Sequence, residues 1–210
     1  MTSFVEQPGV EEVHLLWITA GLGCDGDTIA LTAARQPSIE QLVEGCIPGL
    51  PRLKFHNPLL AYEVCDDFIA LAQRAADGQM EPLILVIEGS IPDESLSADG
   101  CWAAFGVDQK SGQPIPTCRW IDRIAPHAWA VISAGTCAAY GGIHAIAGNP
   151  TGCMGLPDYL GWDWKSKQGV PLICMPGCPI HPDSFMSVLT YQVVEKAGSI
   201  VSLGKRVVIF

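Results

Sequence analysis

The sequence predicts a mostly parallel, doubly wound α/β sheet with long loops at its carboxyl edge. Three observations predict it. Short apolar runs alternate with helix-like stretches along the chain, which is the pattern of strand–helix–strand units. The runs are almost continuously apolar, as strands covered by helices on both faces must be. The length of 210 residues suits one domain, expected over 1–210.

His14 to Thr19 reads as the first strand, and Thr28 to Arg35 begins a helix. Arg52 to Phe55 is a short second strand. Leu60 to Ala76 is a helix that ends near Gly78, and Pro82 to Glu88 is a strongly apolar third strand. Thr117 to Ile124 is helical, and Ala128 to Ser133 forms a fourth strand. Pro171 to Met175 is a fifth, followed by a helix over Asp183 to Ala197. Gly204 to Phe210 supplies material for one last strand. Right-handed crossovers bring the loops that follow the strands to one sheet edge, where ligands of such folds sit.

Two segments depart from the repeat. Gly89 to Pro116 reads as a long polar loop with one turn at Asp99–Gly100. Asn149 to Gln168 is rich in Gly, Pro and Trp. Long ordered loops serve function or interfaces, so Trp162 to Trp164 is either a partner contact or a local mini-core.

Charged residues make up only 16% of the chain against 49% hydrophobic. That is lean for a fully wetted surface, and a covering partner is expected. The net charge of −10 and the lack of a basic cluster exclude nucleic acid as a partner. No apolar run is long enough for a transmembrane segment. Met1 to Val10 lacks a basic stretch followed by an apolar one, which predicts a cytoplasmic protein, membrane-associated only through partners. Nine cysteines in such a chain point to metal ligands or buried thiols rather than disulfides.

Three cysteines lie just after strands. Cys24 follows the first in Gly-Leu-Gly-Cys-Asp-Gly-Asp, Cys137 the fourth in Ala-Gly-Thr-Cys-Ala-Ala-Tyr-Gly-Gly, and Cys178 the fifth in Met-Pro-Gly-Cys-Pro. Their Gly and Pro neighbours let backbone N–H groups approach a sulfur-rich anion. Thiolates bind iron–sulfur clusters, and cubane clusters take four ligands. Asp27 stands three residues after Cys24, where a Cys-x-x-Cys pair would put its second sulfur, and a carboxylate can ligate iron. Gly23, Thr136 and Gly177 precede the cysteines and are expected behind the ligands.

Glu88 ends the third strand at the same edge. It is a candidate for orienting hydrogen bonds or moving protons, against the alternative of a solvated strand-end carboxylate. His144 and His181 follow cysteine loops and read as loop or helix-start residues, with a place behind the ligands as the alternative. Cys174 is expected in the core and Cys65 in helix packing. Cys101, Cys118 and Cys153 lie in or near the long loops, and Cys153 is close enough in sequence to approach the site. Cys46 has no such placement.

Gly21-Leu-Gly23-Cys-Asp-Gly26 formally matches a dinucleotide-binding G-x-G-x-x-G. Asp25 and Asp27 would then face a pyrophosphate, and the second strand ends in His56-Asn57 with no acid for a ribose. A nucleotide is therefore disfavoured. A structural zinc remains the non-redox alternative.

Gly-Thr-Cys137-Ala-Ala-Tyr-Gly-Gly, Asn149-Pro-Thr-Gly, Pro-Gly-Cys178-Pro and Val86-Ile-Glu88-Gly-Ser-Ile-Pro92 together resemble the small subunit of [NiFe] hydrogenases. The resemblance runs from His14 to about Ala197. It implies a flavodoxin-like domain that carries one proximal [4Fe–4S] cluster on Cys24, Asp27, Cys137 and Cys178. It also implies a separate large subunit that holds the entire Ni–Fe centre, so that no catalytic residue lies in this chain. A further electron-transfer protein and a higher-order oligomer of heterodimers are the other expected partners. The family's first loop normally reads Cys-x-x-Cys; Cys24-Asp-Gly-Asp27 here is similar to the actinobacterial-type, oxygen-insensitive group, as is Gly-Leu-Pro-Asp-Tyr-Leu-Gly-Trp-Asp-Trp. A different, oxygen-tolerant group carries two added cysteines where Gly26 and Gly142 stand, and is not supported. No cysteine follows Cys178, so one cluster is expected in the chain as given. Pro-Gly-Cys-Pro alone also resembles a complex I subunit that passes electrons to quinone, which is the alternative function.

Overall fold

The computed structural model describes residues 10–48, 50–57, 66–98 and 100–196. Five strands form one sheet: β1 (Glu12–Thr19), β2 (Arg52–His56), β3 (Leu83–Glu88), β6 (Ala130–Ala134) and β7 (Ile173–Met175). A separate pair, β4 (Ala104–Val107) and β5 (Pro114–Pro116), makes an antiparallel hairpin. The sheet order is β2-β1-β3-β6-β7, and every pairing in it is parallel. The chain reverses direction across the sheet between β1 and β3, and a crevice opens at such a switch point.

Side chains alternate across a strand, and β1 shows the result. Leu16 and Ile18 join Leu85 and Ile87 on one face, under α3 (Asp66–Ala76) and α4 (Thr117–Ile124). Leu15 and Trp17 join Val86 and Ile132 on the other. That face lies under α2 (Ile39–Val43), α7 (Pro182–Lys196) and Leu31, which directly follows α1 (Gly26–Ala30). All six residues of β3 are buried, which is why its run is uninterruptedly apolar up to Glu88. Two further short helices, α5 (Gly135–Tyr140) and α6 (Leu156–Leu160), follow β6.

The strands and long helices fall where the sequence predicts them, within one or two residues at most ends. Residues 60–65 of the expected third-strand-preceding helix, including Cys65, lie outside the described residues, as does the expected strand at 204–210. Asp99 of the expected turn also lies outside them.

Gly89 to Pro116 is not simply a loop. It contains a 3₁₀ turn at Glu94–Leu96 and the β4–β5 hairpin. The hairpin turn is held by Asp108, whose carboxylate accepts from the N–H groups of Lys110 and Ser111. Trp120 of α4 docks the hairpin. Its ring stacks on Phe105 at 5.2 Å, and its indole N–H donates to the Phe105 carbonyl at 2.9 Å. A second correction is α2, a one-turn helix started by a capping box between Ser38 and Gln41. A third concerns Cys174, which is half-buried rather than core because β7 lies at the end of the sheet formed by the described residues. The tryptophan segment divides: Trp164 packs against the α3–α4 core, while Trp162 is 68% exposed. Among the described residues no helix is long and apolar enough to cross a membrane.

Candidate metal centre

The loops after β1, β3, β6 and β7 meet at the carboxyl edge and are tied in pairs. Ser90 N–H donates to the Leu22 carbonyl at 2.9 Å, and Ala20 N–H to the Glu88 carbonyl at 2.6 Å. Across the sheet, Thr136 N–H donates to the Gly177 carbonyl at 2.7 Å, and Gly177 N–H returns a bond to Thr136 Oγ1 at 3.1 Å. The residues before Cys137 and Cys178 are thus locked reciprocally. Between the loops lies a cavity of about 90 Å³. Cys24, Asp27, Cys137 and Cys178 line it, with Gly23, Glu88, Thr136 and Gly177 among the remaining walls. All eight residues singled out from the sequence therefore share one site.

Glu88 is not a solvated strand-end carboxylate; it is 1% exposed. Four donors converge on it. Trp17 Nε1 donates at 2.9 Å, Asp27 N–H at 2.9 Å and Thr28 N–H at 3.0 Å, and the Thr28 hydroxyl bonds the same oxygen as Trp17. Two of these are first-turn N–H groups of α1, which have no partner inside the helix. A charged acceptor there also complements the positive end of the helix dipole. Glu88 thereby fastens the Cys24–Asp27 turn to the central strand. Asp25 makes that turn possible by taking the left-handed conformation at φ 57°, which Asp tolerates better than most residues.

Asp27 is buried, and its Oδ1 accepts the Ile180 N–H at 2.7 Å. Burial pushes its carboxyl up to about 6, the Ile180 bond opposes that, and nearby Glu88 adds to it. Its charged form is thus disfavoured where it stands. Burial likewise pushes the Cys137 thiol up, partly offset by hydrogen bonds from the Ser90 side chain and the Ile143 backbone.

Two glycines behind the donors show how closely backbone approaches Cys137 and Asp27. At Gly142 a Cβ would stand 2.6 Å from Cys137 Sγ, and φ there is +57°. At Gly135 a Cβ would stand 2.0 Å from Asp27 Oδ2, with φ at +85°. Both positions demand glycine, for conformation and for space. The result is donor atoms laid against bare backbone, which suits a compact anion that takes N–H···S hydrogen bonds. Among the described residues no three His, Cys, Asp or Glu side chains gather around a point as a single ion requires. The donors ring a cavity instead. Three thiols and a carboxylate around a roomy, glycine-walled pocket fit a cubane cluster. Gly135→Ala is expected to destabilise the fold by about 2–3 kcal/mol, from left-handed strain and overpacking together. Denaturant midpoints check this, and the variant should also bind less iron as Asp27 is pushed aside.

The other described cysteines stay apart. Cys46 is exposed, and Cys118, just past the Gly89–Pro116 segment, is buried in the expected helix α4 against the core. Cys153 is buried and accepts the Thr151 hydroxyl at 2.9 Å, outside the cavity lining. Cys101 and Cys174 are half-buried and free. His181 Nδ1 accepts from Ser184 N–H at the start of α7, as a helix-start residue would. Ser90, Trp17 and the Ile180 N–H were not legible in the sequence, because their roles depend on partners far away along the chain.

Comparison with known proteins adds a family. A family model described as "NADH ubiquinone oxidoreductase, 20 Kd subunit" matches residues 24–192. The chain is similar to the periplasmic [NiFeSe] hydrogenase small subunit of Desulfomicrobium baculatum. Identity is 30% over 184 residues, covering 86% of this chain and 55% of the relative. It is also similar to the Hydrogenase-2 small chain of Escherichia coli K12, at 31% over 180 residues, covering 84% and 41%. A solved actinobacterial-type NiFe-hydrogenase from Ralstonia eutropha H16 matches with a TM-score of 0.88 and 56% identity, covering 93% of this chain and 57% of that one. The chain spans about half the length of the curated relatives it matches.

Proposed function

The chain belongs to the family described as "NADH ubiquinone oxidoreductase, 20 Kd subunit", and on that footing we propose that it is the electron-transfer small subunit of a [NiFe] hydrogenase. In this reading Cys24, Asp27, Cys137 and Cys178 hold one [4Fe–4S] cluster within a single domain. A partner large subunit holds the Ni–Fe centre where hydrogen is oxidised, and a further protein takes the electrons onward. The observation that carries the reading is the common cavity lined by these four residues. The 56% identity to an actinobacterial-type NiFe-hydrogenase supports the choice of enzyme.

When bound, such a cluster accepts and releases one electron at a time. The chain's own residues supply the setting. Glu88 fixes the first ligand loop to β3, and the Thr136–Gly177 pair fixes the third loop to the fourth. Ile180 N–H orients Asp27. Apolar side chains stand exposed on the elements that leave the site: Ile29 on α1, Tyr140 on α5, and Ile143 just beyond. Such a surface suits burial under a partner subunit. The family description also names a quinone-reducing enzyme, but the relatives at 30% identity and above are hydrogenases, which favours hydrogen as the electron source.

Copurification from the native source tests the proposal, with nickel and iron analysis and a hydrogen-dependent dye assay. A large partner containing nickel is expected, and its absence would remove the hydrogenase reading. Asp27→Cys tests the fourth ligand. Thiolate is a softer and more electron-donating ligand than carboxylate, so the variant should keep its iron while its spectrum changes and its potential falls. An unchanged spectrum and potential would count against ligation by Asp27.

A further inference from the structure

His14 and His56 meet across the β1–β2 ladder, on the sheet face that carries α3. The register sets His56 beside Leu16 and His14 beside Lys54, so the two rings lie diagonally on one face. The rings stack, 18° apart with centroids at 5.4 Å, and His14 Nδ1 stands 3.1 Å from His56 Nε2. His56 is 0% exposed, and the side chain of His14 is 15% exposed. A neutral imidazole carries one N–H and one lone pair, whereas an imidazolium carries two N–H groups. The contact between the two ring nitrogens therefore needs one hydrogen between them. It survives while both rings are neutral, and also when one of them is charged. It fails when both are charged, because two N–H groups then face each other and two cations stack with little water to screen them.

The surroundings do not offset a second charge. Among the described residues the acid that faces His14 is Glu12 of β1, with Oε1 4.0 Å from Nε2. Glu12 is already paired with Arg52 and Lys54 of β2. Lys54 and Arg74 of α3 add positive charge, and on β3 the neighbour of His14 is the uncharged Leu83. Burial first, then the His56 ring, hold His14 below the ordinary value of 6.5; Glu12 opposes them, and Lys54 and Arg74 add to the lowering.

We propose that the His14–His56 pair is an acid-sensitive latch on β2: it holds the carboxyl end of the strand while the rings share one hydrogen, and releases it when both rings are protonated. Release takes up protons, so it is disfavoured above the ordinary histidine value of 6.5 and grows as the pH falls below it. Topology keeps the opening local. Among the described residues β2 pairs only with β1, at the end of the sheet. β1 also pairs with β3 over six residues, and the His14 N–H is bonded to the Pro82 carbonyl at 2.9 Å on that side. Loss of β2 therefore bares one edge of β1 and leaves β1 and the loop that follows it in place. Neither histidine lines the cavity of Cys24, Asp27, Cys137 and Cys178, so the latch stands apart from the cluster reading.

The test is amide hydrogen exchange read by mass spectrometry on the full chain in its native assembly, from about pH 7.5 to about pH 5.5, with each rate divided by that of an unprotected peptide at the same pH. Protection of the peptide across Arg52–His56 should fall about tenfold per pH unit for each proton taken up on opening. Protection across Leu83–Glu88 should stay level. His14→Gln keeps an amide oxygen that accepts from His56 whether that ring is neutral or charged, and it cannot itself become a cation. The variant should hold β2 protection to within about threefold over the same range. His56→Gln should flatten the profile in the same way. Level protection of β2 in the wild-type chain would overturn the latch. So would a fall of wild-type size in His14→Gln, or a fall shared equally by β3, which would mean global rather than local opening. If neither glutamine variant folds, the wild-type contrast between β2 and β3 decides alone.

Discussion

Glu88→Ala is expected to cost the protein about 3–5 kcal/mol, the range for removing one partner of a buried charged network. The residue is 1% exposed and receives four donors, from Trp17, Asp27 and Thr28. Alanine would leave those donors buried and unpaired, at about 1–3 kcal/mol each if they acted independently. They do not, because they share one acceptor, so the total is less than their sum. Against a typical domain stability of about 5–15 kcal/mol the loss is severe. Urea unfolding should show a midpoint well below that of the parent chain. Glu88→Gln preserves shape but presents an NH₂ group to some of the donors, and should cost roughly half as much. Removal of the negative charge should also raise the potential of a cluster in the adjacent cavity. A stability change with no accompanying shift in potential would separate the structural role of Glu88 from any electrostatic one.

Cys137→Ala is expected to abolish cluster binding. Loss of hydrogen-bonding partners behind metal ligands already costs about 10–100-fold in affinity, and loss of a ligand costs more. Of the four proposed ligands, Cys24, Asp27 and Cys178 would then remain in the cavity lining. The visible absorption of the purified chain should vanish, with iron and sulfide at background. Cys46→Ala is the control. Cys46 is exposed and outside the cavity lining, so its loss should leave absorption and iron unchanged. An iron-replete Cys137→Ala protein would disprove the ligand assignment.

The strands were legible because β3 and its neighbours are buried on both faces, which forces unbroken apolar runs such as Leu83 to Ile87. The convergence on one cavity was legible because Cys24, Cys137 and Cys178 each follow a strand inside glycine- or proline-bearing loops, and the topology then brings such loops together. The β4–β5 hairpin was not legible. Pro114, Pro116 and Gly106 break the alternation expected of strands, and the stack of Phe105 on Trp120 makes up for weak local preference. The burial of Glu88 was hidden for a related reason. Its donors stand 60 to 71 residues earlier in the chain, and a carboxylate at a strand end looks solvated until they are in place. The Ser90–His144 contact spans 54 residues and has no local signature at all. The α2 helix is different: Ser38-x-x-Gln41 is a capping box readable in the sequence, but the helix it starts is a single turn, too short for an apolar periodicity.

The reciprocal bonds between Thr136 and Gly177 have a consequence for biogenesis. Cys24 belongs to the first βα connection of the chain and Cys178 to the last of the five-stranded sheet. A ribosome-bound chain that exposes only the first three strands displays at most Cys24, Asp27 and Glu88. The other half of the cavity closes only when β7 pairs with β6 and Gly177 meets Thr136. Sheets built from such distant pairings form slowly. On the proposed reading, iron and sulfide would have a complete cavity to enter only after β7 has paired with β6, and in the folded chain the thiols of Cys24 and Cys178 stand exposed, where oxidation can reach them.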